Sequence, residues 1–447
     1  MEYCVDGDGN WKTLASNTNS ESINKGHMLS FRGILTPASS KGVGRFKISK
    51  SCDLSGNCNS LLFGDDAKTN LSLSGKNYAF YQLFYNCTAI KNVSSNFLPA
   101  TTLAQSCYYS MLKGCTSLTT APALPATTLA QSCYYSMFQG CTSLTTAPAL
   151  PATTLAMFCF YHMFSGTNVL PDCSNINFSS STVVASGGLI GLFAGTKVTD
   201  DDLRNILPIN SNDKYYLPCT TLASNCYQSM FAYCKSLTIA PELPAKTLKS
   251  QCYQDMFNGC TSLTTAPTLP ATTLAQSCYS QMFYDCSSLT TAPELPATTL
   301  APSCYNSMLK GCTSLTTAPE LPAKTLKTSC YYQMFYDCSS LTTAPELPAT
   351  TLITSCYSGM FNSCSKLTTA PTLPATTLVD SCYNYMFYGC SKLNYIKAMF
   401  TTTPSTTYTN NWVYRVASSG TFVKNIDATW NVTGTNGIPS GWTVQTA

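Results

Sequence analysis

Residues 124–149 read LPATTLAQSCYYSMFQGCTSLTTAPA, and close copies of this stretch follow one another along most of the chain. The second cysteine of each copy serves as an anchor, and most successive anchors are 26 residues apart. A fixed period of this length is the signature of stacked structural repeats. The anchors are Cys87, Cys115, Cys141, Cys234, Cys260, Cys286, Cys312, Cys338, Cys364 and Cys390.

Two further copies are degenerate. The stretches MFSGT and LFAGT place Thr167 and Thr196 where an anchor cysteine is expected, which brings the predicted total to about 12 repeats. The irregular spacings concentrate between residues 168 and 217. We therefore predict an insertion at 168–217 that forms a protruding loop or a bend in the stack.

Each copy predicts one strand and one helix. SLTTAP (117–122) is rich in threonine and ends at a proline, as expected of one strand in a parallel stack. Leu129, Cys133, Met137 and Phe138 then recur at helical spacings, and a glycine follows. The sequence thus predicts an α/β repeat fold, a leucine-rich-repeat solenoid with a short strand and a short helix per unit, over residues 76–398.

The stretch YYSMFQGCTSLTTAPALP resembles the BspA-like branch of bacterial leucine-rich repeats, and the resemblance covers residues 78–398. It implies a binding role, as in bacterial surface adhesins and in tail proteins of phages and prophages, with no shared catalytic residues. Two features depart from the family pattern. The 26-residue unit is longer than the family's, and it adds the first cysteine and the LPATTL segment.

The flanks predict β structure. In residues 1–75, a β-rich N-terminal domain or cap, EYCVDGDGNWKTL predicts a hairpin, and MLSFRGIL and GRFKISK predict strands. A calcium loop at Asp6, Asp8 and Asn10 is disfavoured because Trp11 replaces the required glycine. In residues 399–447 the period is lost and three tryptophans appear, which predicts a C-terminal cap or, alternatively, an aromatic contact site.

The 25 cysteines predict a buried column. The two cysteines of a copy are eight residues apart, and a helix between them would hold them beyond disulfide reach. We expect each to be a small buried side chain stacked on its counterpart in the next copy. Disulfides between neighbouring copies remain an alternative. A zinc site is disfavoured because CxxC pairs are absent, so no metal and no cofactor are predicted.

The charge pattern argues against several functions. The chain has 25 Lys+Arg and 21 Asp+Glu with no basic block, so a nucleic-acid partner is not expected. No apolar run reaches the length of a membrane span, and no secretion signal is visible. The chain could therefore begin inside a longer polypeptide or belong to a virion assembly.

Enzymatic chemistry is also disfavoured. The chain has only two histidines, and we expect His162 to face solvent. The acidic run 200–202 follows Thr199 and suits the start of a helix. We therefore predict that the chain is not an enzyme, although a hydrolase within 168–217 remains an alternative.

Positions that differ between copies are free to serve recognition. They hold Tyr, Asn, Gln and Asp, which supply aromatic area and adaptable hydrogen bonds. A merely tolerant surface is the competing interpretation. A second candidate is a row of glutamates (Glu242, Glu294, Glu320, Glu346) beside Lys246 and Lys324, for which a solvated edge is the simpler interpretation. The predicted ligand-binding residues are Tyr135, Gln254, Asp255, Gln281, Tyr284, Asp285, Asn306, Tyr332, Gln333, Tyr336, Asp337, Asn384, Tyr385 and Tyr388.

Together these observations predict a non-enzymatic recognition and adhesion module that binds a cell-surface protein or polysaccharide. We expect it to be extracellular, on a phage or prophage tail or on a bacterial cell. A bacterial adhesin for host proteins and a purely structural spacer are the alternatives.

Overall fold

The computed structural model describes residues 2–7, 9–14, 26–32, 44–169 and 187–447. The chain divides into two compact units, an N-terminal unit (Met1–Asn177) and a C-terminal unit (Phe178–Ala447). Each unit is described by itself below.

The N-terminal unit begins with a small antiparallel sheet of order β2-β1-β3, formed by β1 (Glu2–Val5), β2 (Lys12–Thr13) and β3 (Leu29–Arg32). The hairpin predicted from EYCVDGDGNWKTL is thus confirmed as β1 and β2. At its turn the Asp6 carboxylate contacts His27 and accepts a hydrogen bond from the Met28 amide at 2.7 Å. Asp8 of the rejected calcium loop lies outside the described residues.

The prediction of a strand at GRFKISK is wrong. Phe46 in this stretch donates its amide to the Leu83 carbonyl at 2.8 Å, outside any strand. The strand comes later, as β4 (Cys52–Leu54), which pairs in parallel with β5 (Ile90–Val93). Between them lie α1 (Ser60–Phe63) and a 3₁₀ turn (Gly64–Lys68), and a second 3₁₀ turn (Ser95–Phe97) follows β5.

The repeats are built on a ten-residue turn segment that ends at the anchor. In 132–141 the first, fifth and ninth residues, Ser132, Ser136 and Gly140, have φ of 54°, 51° and 74°. The same three positions have positive φ in every turn segment among the described residues. The segments are 78–87, 106–115, 132–141, 158–167, 187–196, 225–234, 251–260, 277–286, 303–312, 329–338, 355–364 and 381–390.

Backbone hydrogen bonds in a turn segment alternate between two kinds. The amides of Cys133, Tyr135 and Met137 each donate to the carbonyl three residues earlier, at 3.1–3.3 Å. The amides between them donate to the next repeat, as Tyr134 does to Cys159 at 3.1 Å and Ser136 to Tyr161 at 2.7 Å. All of these inter-repeat bonds point the same way along the stack, so each segment is a ribbon of consecutive turns laid on the next.

The predicted helix of each repeat is therefore wrong. An α-helix needs φ near −63° at every residue, whereas here every fourth residue is left-handed. Serine, asparagine, aspartate and glycine occupy most of these positions, and several of these residue types tolerate positive φ better than others do. Half of the amides are also committed to the neighbouring repeat and are unavailable for helical bonds.

The predicted strand of each repeat is reduced to single bridges. Thr120 pairs with Thr146, and Thr102 with Thr128, each as one parallel residue pair. In the C-terminal unit Thr265 pairs with Thr291 in the same way. Prolines on the carboxyl side, such as Pro122, lack the amide needed to extend the ladder.

The core consists of columns of identical side chains. Positions two, three, six, seven and ten of each turn segment point inward, and Cys133, Tyr134, Met137, Phe138 and Cys141 are 0–2% exposed. Aromatic rings stack between repeats at the core, with centroids 5.7 Å apart for Tyr108 and Tyr134. Because no single repeat can bury these groups alone, burial comes only from stacking.

The anchor cysteines tie neighbouring repeats together. Cys141 donates its thiol to the Leu112 carbonyl of the preceding repeat at 3.2 Å, and Cys338 does so to Leu309 at 3.1 Å. Thr167 instead donates its hydroxyl to the Phe164 carbonyl of its own repeat at 2.8 Å. The described cysteines are not in disulfides, and all except the half-buried Cys52 are buried.

This bond gives a test at one repeat. We expect Cys338→Ala to lose about 1–2 kcal/mol of stability, because it removes a thiol donor and leaves a small cavity. Cys338→Thr should lose less, since threonine already occupies the anchor position at Thr167 and Thr196 and donates to a carbonyl there. Urea unfolding midpoints measure both changes. An alanine variant as stable as the threonine variant would contradict the role of the thiol.

The described part of the insertion packs on the following repeats. Residues 187–196 form a turn segment, and α2 (Asp200–Ile206) follows. Thr199 and Asp202 form a reciprocal capping box, which confirms the predicted helix start. The Asp200 carboxylate accepts hydrogen bonds from the amides of Thr238 and Ile239 at 3.2 and 3.0 Å. Residues 170–186 of the predicted insertion lie outside the described part of the chain.

The predicted loss of the period after Met399 is wrong. β6 (Tyr395–Ala398) and α3 (Thr406–Thr409) come next. Residues 407–416, which overlap α3, continue the turn pattern, with positive φ at Asn411 and Arg415 but not at the first position. Phe387 donates its amide to Trp412 at 2.8 Å, as in the repeats. β7 (Thr421–Lys424) and β8 (Thr443–Thr446) extend β6 into a parallel sheet.

The three C-terminal tryptophans are buried, which argues against an exposed aromatic contact site. Trp412, Trp430 and Trp442 are 0%, 4% and 7% exposed. Each indole donates to a backbone carbonyl, those of Gly437, Phe400 and Ala417 in turn, at 2.8–3.1 Å. The Asn436 Oδ1 atom accepts a hydrogen bond from the Asn411 amide at 2.7 Å. In the repeats, the amide at this position donates to a carbonyl of the next repeat.

Candidate functional site: the turn face

The outward positions of the turn segments form one surface within each unit. Positions four, five, eight and nine alternate with the buried pairs, and we call the surface they make the turn face. All fourteen predicted ligand-binding residues occupy these positions. Apart from Tyr135, which belongs to the N-terminal unit, they lie in the C-terminal unit.

The choice of side chain at positions five and nine is more constrained than the sequence implies. Their backbone has positive φ, as at Asp255, Gln333 and Asp337 with φ of 55°, 51° and 59°. Several serines at position five, such as Ser136 at 2% exposed, are also buried. Variation at these positions is therefore limited by the backbone, whereas positions four and eight carry the less constrained side chains.

At position eight of one repeat, a lysine lies between two tyrosine rings. The ammonium of Lys310 lies 5.3 Å from the ring centroid of Tyr284 and 4.3 Å from that of Tyr336. It also donates to the Gln333 amide oxygen at 3.2 Å. The structure thus brings three predicted residues of successive repeats together around a lysine that the sequence analysis did not select.

Two carboxylates adjoin this cluster at position nine. Burial and the neighbouring Asp337 raise the pKa of Asp285, while Lys310 opposes them. Gly311 lies between the two aspartates, and a Cβ there would come within 2.1 Å of the Asp285 carboxylate. The Asp285 side chain therefore occupies the space above Gly311, which has no side chain at position nine.

The remaining predicted residues are spread along the same face. Tyr385 is the most exposed of the tyrosines among them, at 39%, and its hydroxyl accepts a hydrogen bond from Asn410 at 3.0 Å. Burial raises the pKa of Asp255, which accepts a hydrogen bond from Asn258 at 3.0 Å. These groups offer polar contacts to a ligand rather than a catalytic arrangement.

Tyr135 lies in a stack of tyrosine rings that was not predicted from the sequence. Its ring centroid is 4.3 Å from that of Tyr109 and 4.2 Å from that of Tyr161, with nearly parallel planes. Both ring faces are therefore covered, and only the edge remains for a ligand. The signal was present in the sequence, since a tyrosine recurs at position four of four successive repeats.

The prediction that His162 faces solvent is wrong. Its ring packs edge-on against Tyr161 with centroids 4.5 Å apart, and its Nδ1 atom is buried without a hydrogen-bond partner in the described structure. Burial, followed by the nearby Lys113, lowers the pKa of His162. The position is a backbone-constrained position five, and its side chain is half-buried.

The glutamate row and an apolar groove are the other candidate surfaces, and they offer less to a ligand. Glu242 bonds to Lys214 at 2.8 Å and to the Thr268 amide at 3.0 Å, not to Lys246, so it is already engaged. Glu294, Glu320 and Glu346 are exposed. In the N-terminal unit, an open apolar groove of about 360 Å³ is lined by the segments 121–125 and 146–149 and has no titratable side chain.

The described ranges contain neither a cluster suited to a metal ion nor a helix suited to a membrane. There, no group of three His, Cys, Asp or Glu side chains is placed to hold a metal ion. The longest described α-helix, α2, has seven residues, and none of the described helices could span a membrane.

Comparison with known proteins supports the repeat assignment. The family described as "BspA type Leucine rich repeat region" matches residues 220–344 and 279–414 in six copies. No protein with a curated description matches the chain. A solved structure described as "Crystal structure of TLR13-ssRNA13 complex" is similar at 11% sequence identity and a TM-score of 0.28, covering 88% of this chain. This chain spans about half of that chain, 53% of its length. The predicted resemblance is thus confirmed over residues 220–414, which match leucine-rich repeats of the BspA type.

Proposed function

We propose that the chain is a non-enzymatic recognition and adhesion module that binds a cell-surface protein or polysaccharide through its turn face. We place it outside the cell, on a phage or prophage tail or on a bacterial surface. In this proposal about 12 repeats over residues 76–398 present the face within each unit, and the flanks 1–75 and 399–447 are caps.

The turn face itself carries this proposal. Successive repeats hold their outward side chains in straight columns on a fixed backbone, so a ligand meets them already ordered. Tyrosine, asparagine, glutamine and aspartate on such a scaffold lose little conformational entropy on binding. The fourteen predicted residues are the proposed contacts. Among them, Tyr284, Tyr336 and Asp285 surround Lys310, and we call this group the Lys310 cluster.

Binding of the purified chain to bacterial and host cells tests the proposal. If the Lys310 cluster is a centre of contact, Tyr336→Ala should weaken binding at least about tenfold, as truncation of a buried contact does. Glu320→Gln, in the competing glutamate row, and Thr377→Ala, at another exposed position, should bind as the unaltered chain does. Thermal unfolding of each variant separates lost contact from lost fold.

Two results would overturn the proposal. Absence of selective binding to any cell surface would leave the chain as a spacer. Loss of binding in Glu320→Gln, with Tyr336→Ala unaffected, would move the site to the glutamate row.

A further inference from the structure

The N-terminal unit carries a tyrosine ladder, formed by Tyr81, Tyr109, Tyr135 and Tyr161 at position four of successive repeats. Their ring centroids are 4.8, 4.3 and 4.2 Å apart, with interplanar angles of 21°, 9° and 8°. All four side chains are half-buried. Because each ring covers the face of the next, the ladder presents ring edges and phenol hydroxyls rather than flat aromatic area.

The phenol groups along the ladder interact with one another. The pKa of Tyr135 is raised by burial first and then by Tyr161 and Tyr109 on either side. A phenol hydroxyl can both donate and accept hydrogen bonds. A linear polymer that lies along the ladder would meet one such hydroxyl at every repeat.

The stretch of sequence that contains the ladder has charges of a single sign. Residues 67–169 contain Lys68, Lys76, Lys91 and Lys113 and have no aspartate or glutamate. Lys113 lies at position eight of the same turn face, and it forms no ion pair with a carboxylate in the part of the chain that the structure describes. Tyr85 occupies position eight one repeat earlier. The exposed Arg45 guanidinium lies 5.2 Å from its ring centroid. Arg45, at the ring of Tyr85, and Lys113 thus add positive charge at position eight of the turn face that carries the ladder.

We propose that the tyrosine ladder, with Arg45 and Lys113, binds a linear polysaccharide that carries carboxylate groups. The phenol hydroxyls pair with sugar hydroxyls, and the two cations pair with carboxylates, which form the stronger class of hydrogen bond. This inference rests on the proposed recognition function and assigns a ligand class to one part of its surface.

The ladder fits a glycan better than a protein partner. Stable protein interfaces are centred on apolar and aromatic side chains that become fully buried in pockets of the partner. Here the aromatic faces are already buried against one another, so little apolar area is left for a partner to cover. A row of hydroxyls with cations on the same turn face suits a ligand rich in hydroxyls and carboxylates.

Binding of the full chain to immobilised polysaccharides tests the inference. The carboxylated probes are polygalacturonate and hyaluronate, and the neutral controls are methyl-esterified polygalacturonate and dextran. We expect binding to at least one carboxylated probe, at least about tenfold weaker binding to the neutral controls, and weakening by added salt. Lys113→Ala should weaken binding about tenfold, while Lys366→Ala, a lysine of the C-terminal unit, should not.

A second variant separates contact from folding. Tyr135→Phe keeps the stacked ring and deletes one hydroxyl, so it should weaken binding several-fold without changing the thermal unfolding midpoint. Equal binding to esterified and free polygalacturonate, or no binding to either carboxylated probe, would overturn the inference. Cell binding that is lost in Tyr336→Ala but retained in Lys113→Ala would overturn it while leaving the proposed function intact.

Discussion

Raising the pH from 8 to about 10.5 is expected to unfold the chain cooperatively. Burial raises the pKa of the repeat thiols from its usual value of 9.0, to about 11 for Cys330 and Cys382. It raises the pKa to about 12 for a further set, Cys133, Cys141, Cys234, Cys252, Cys304 and Cys390. The folded state therefore holds these protons more tightly than the unfolded state does.

The sign of the effect follows from proton linkage. Below pH 9 both states keep the thiols protonated and stability is unaffected. Between pH 9 and the raised pKa values the unfolded chain releases protons that the folded chain retains, so stability falls. One pH unit above 9 removes about 1.4 kcal/mol per thiol. The eight thiols named together lose about 11 kcal/mol, comparable to the roughly 5–15 kcal/mol stability of a typical domain.

The measurement is a pH titration followed by circular dichroism and by thiolate absorbance, with a reductant present. Both signals should change together, because the thiols ionise only when the core opens. Cys330→Thr, which removes one titrating group, should move the transition to slightly higher pH. Gradual thiolate formation near pH 9 with an unchanged dichroism spectrum would contradict the buried columns.

Tyr331→Ala is expected to lose about 3–5 kcal/mol of stability, the usual cost of removing a large buried aromatic side chain. Tyr331 is 1% exposed, and its ring stacks on Tyr305 and Tyr357 with centroids 5.7 and 5.8 Å apart. The substitution would leave a cavity between two repeats and interrupt the column. Urea unfolding midpoints should show the loss.

Tyr331→Phe is the matched control. The Tyr331 hydroxyl is buried and has no hydrogen-bond partner among the described residues, so deleting it should be neutral or stabilising. Phenylalanine already occupies this position at Phe80 and Phe160. A loss in Tyr331→Phe as large as that in Tyr331→Ala would show that the hydroxyl, rather than the ring, holds the column.

Repetition and the inward residues could be predicted from the sequence, because they depend on which side chains recur. Met137 and Phe138 recur in near-identical form and are fully buried. The backbone conformation was wrongly predicted because two structures share the pattern. Positions two, three, six, seven and ten repeat every four residues, close to the 3.6-residue period of a helix. Gly140, the glycine that follows these helical spacings, is the third left-handed residue of a turn ribbon.

The candidate site could be predicted only in outline. Outward positions follow from their variation, and all fourteen residues lie on the turn face. Their contacts depend on which residues adjoin across repeats. Lys310 is 26 residues from Tyr284 and from Tyr336, so its place between them follows only once the repeats are stacked in register.

Far-ultraviolet circular dichroism tests the central claim most directly, namely that the repeats stack through turn ribbons and not through helices. The three described α-helices are four, seven and four residues long, so the account predicts a spectrum with almost no helical component. A spectrum dominated by the helical minima, as one helix per repeat would produce, would contradict it.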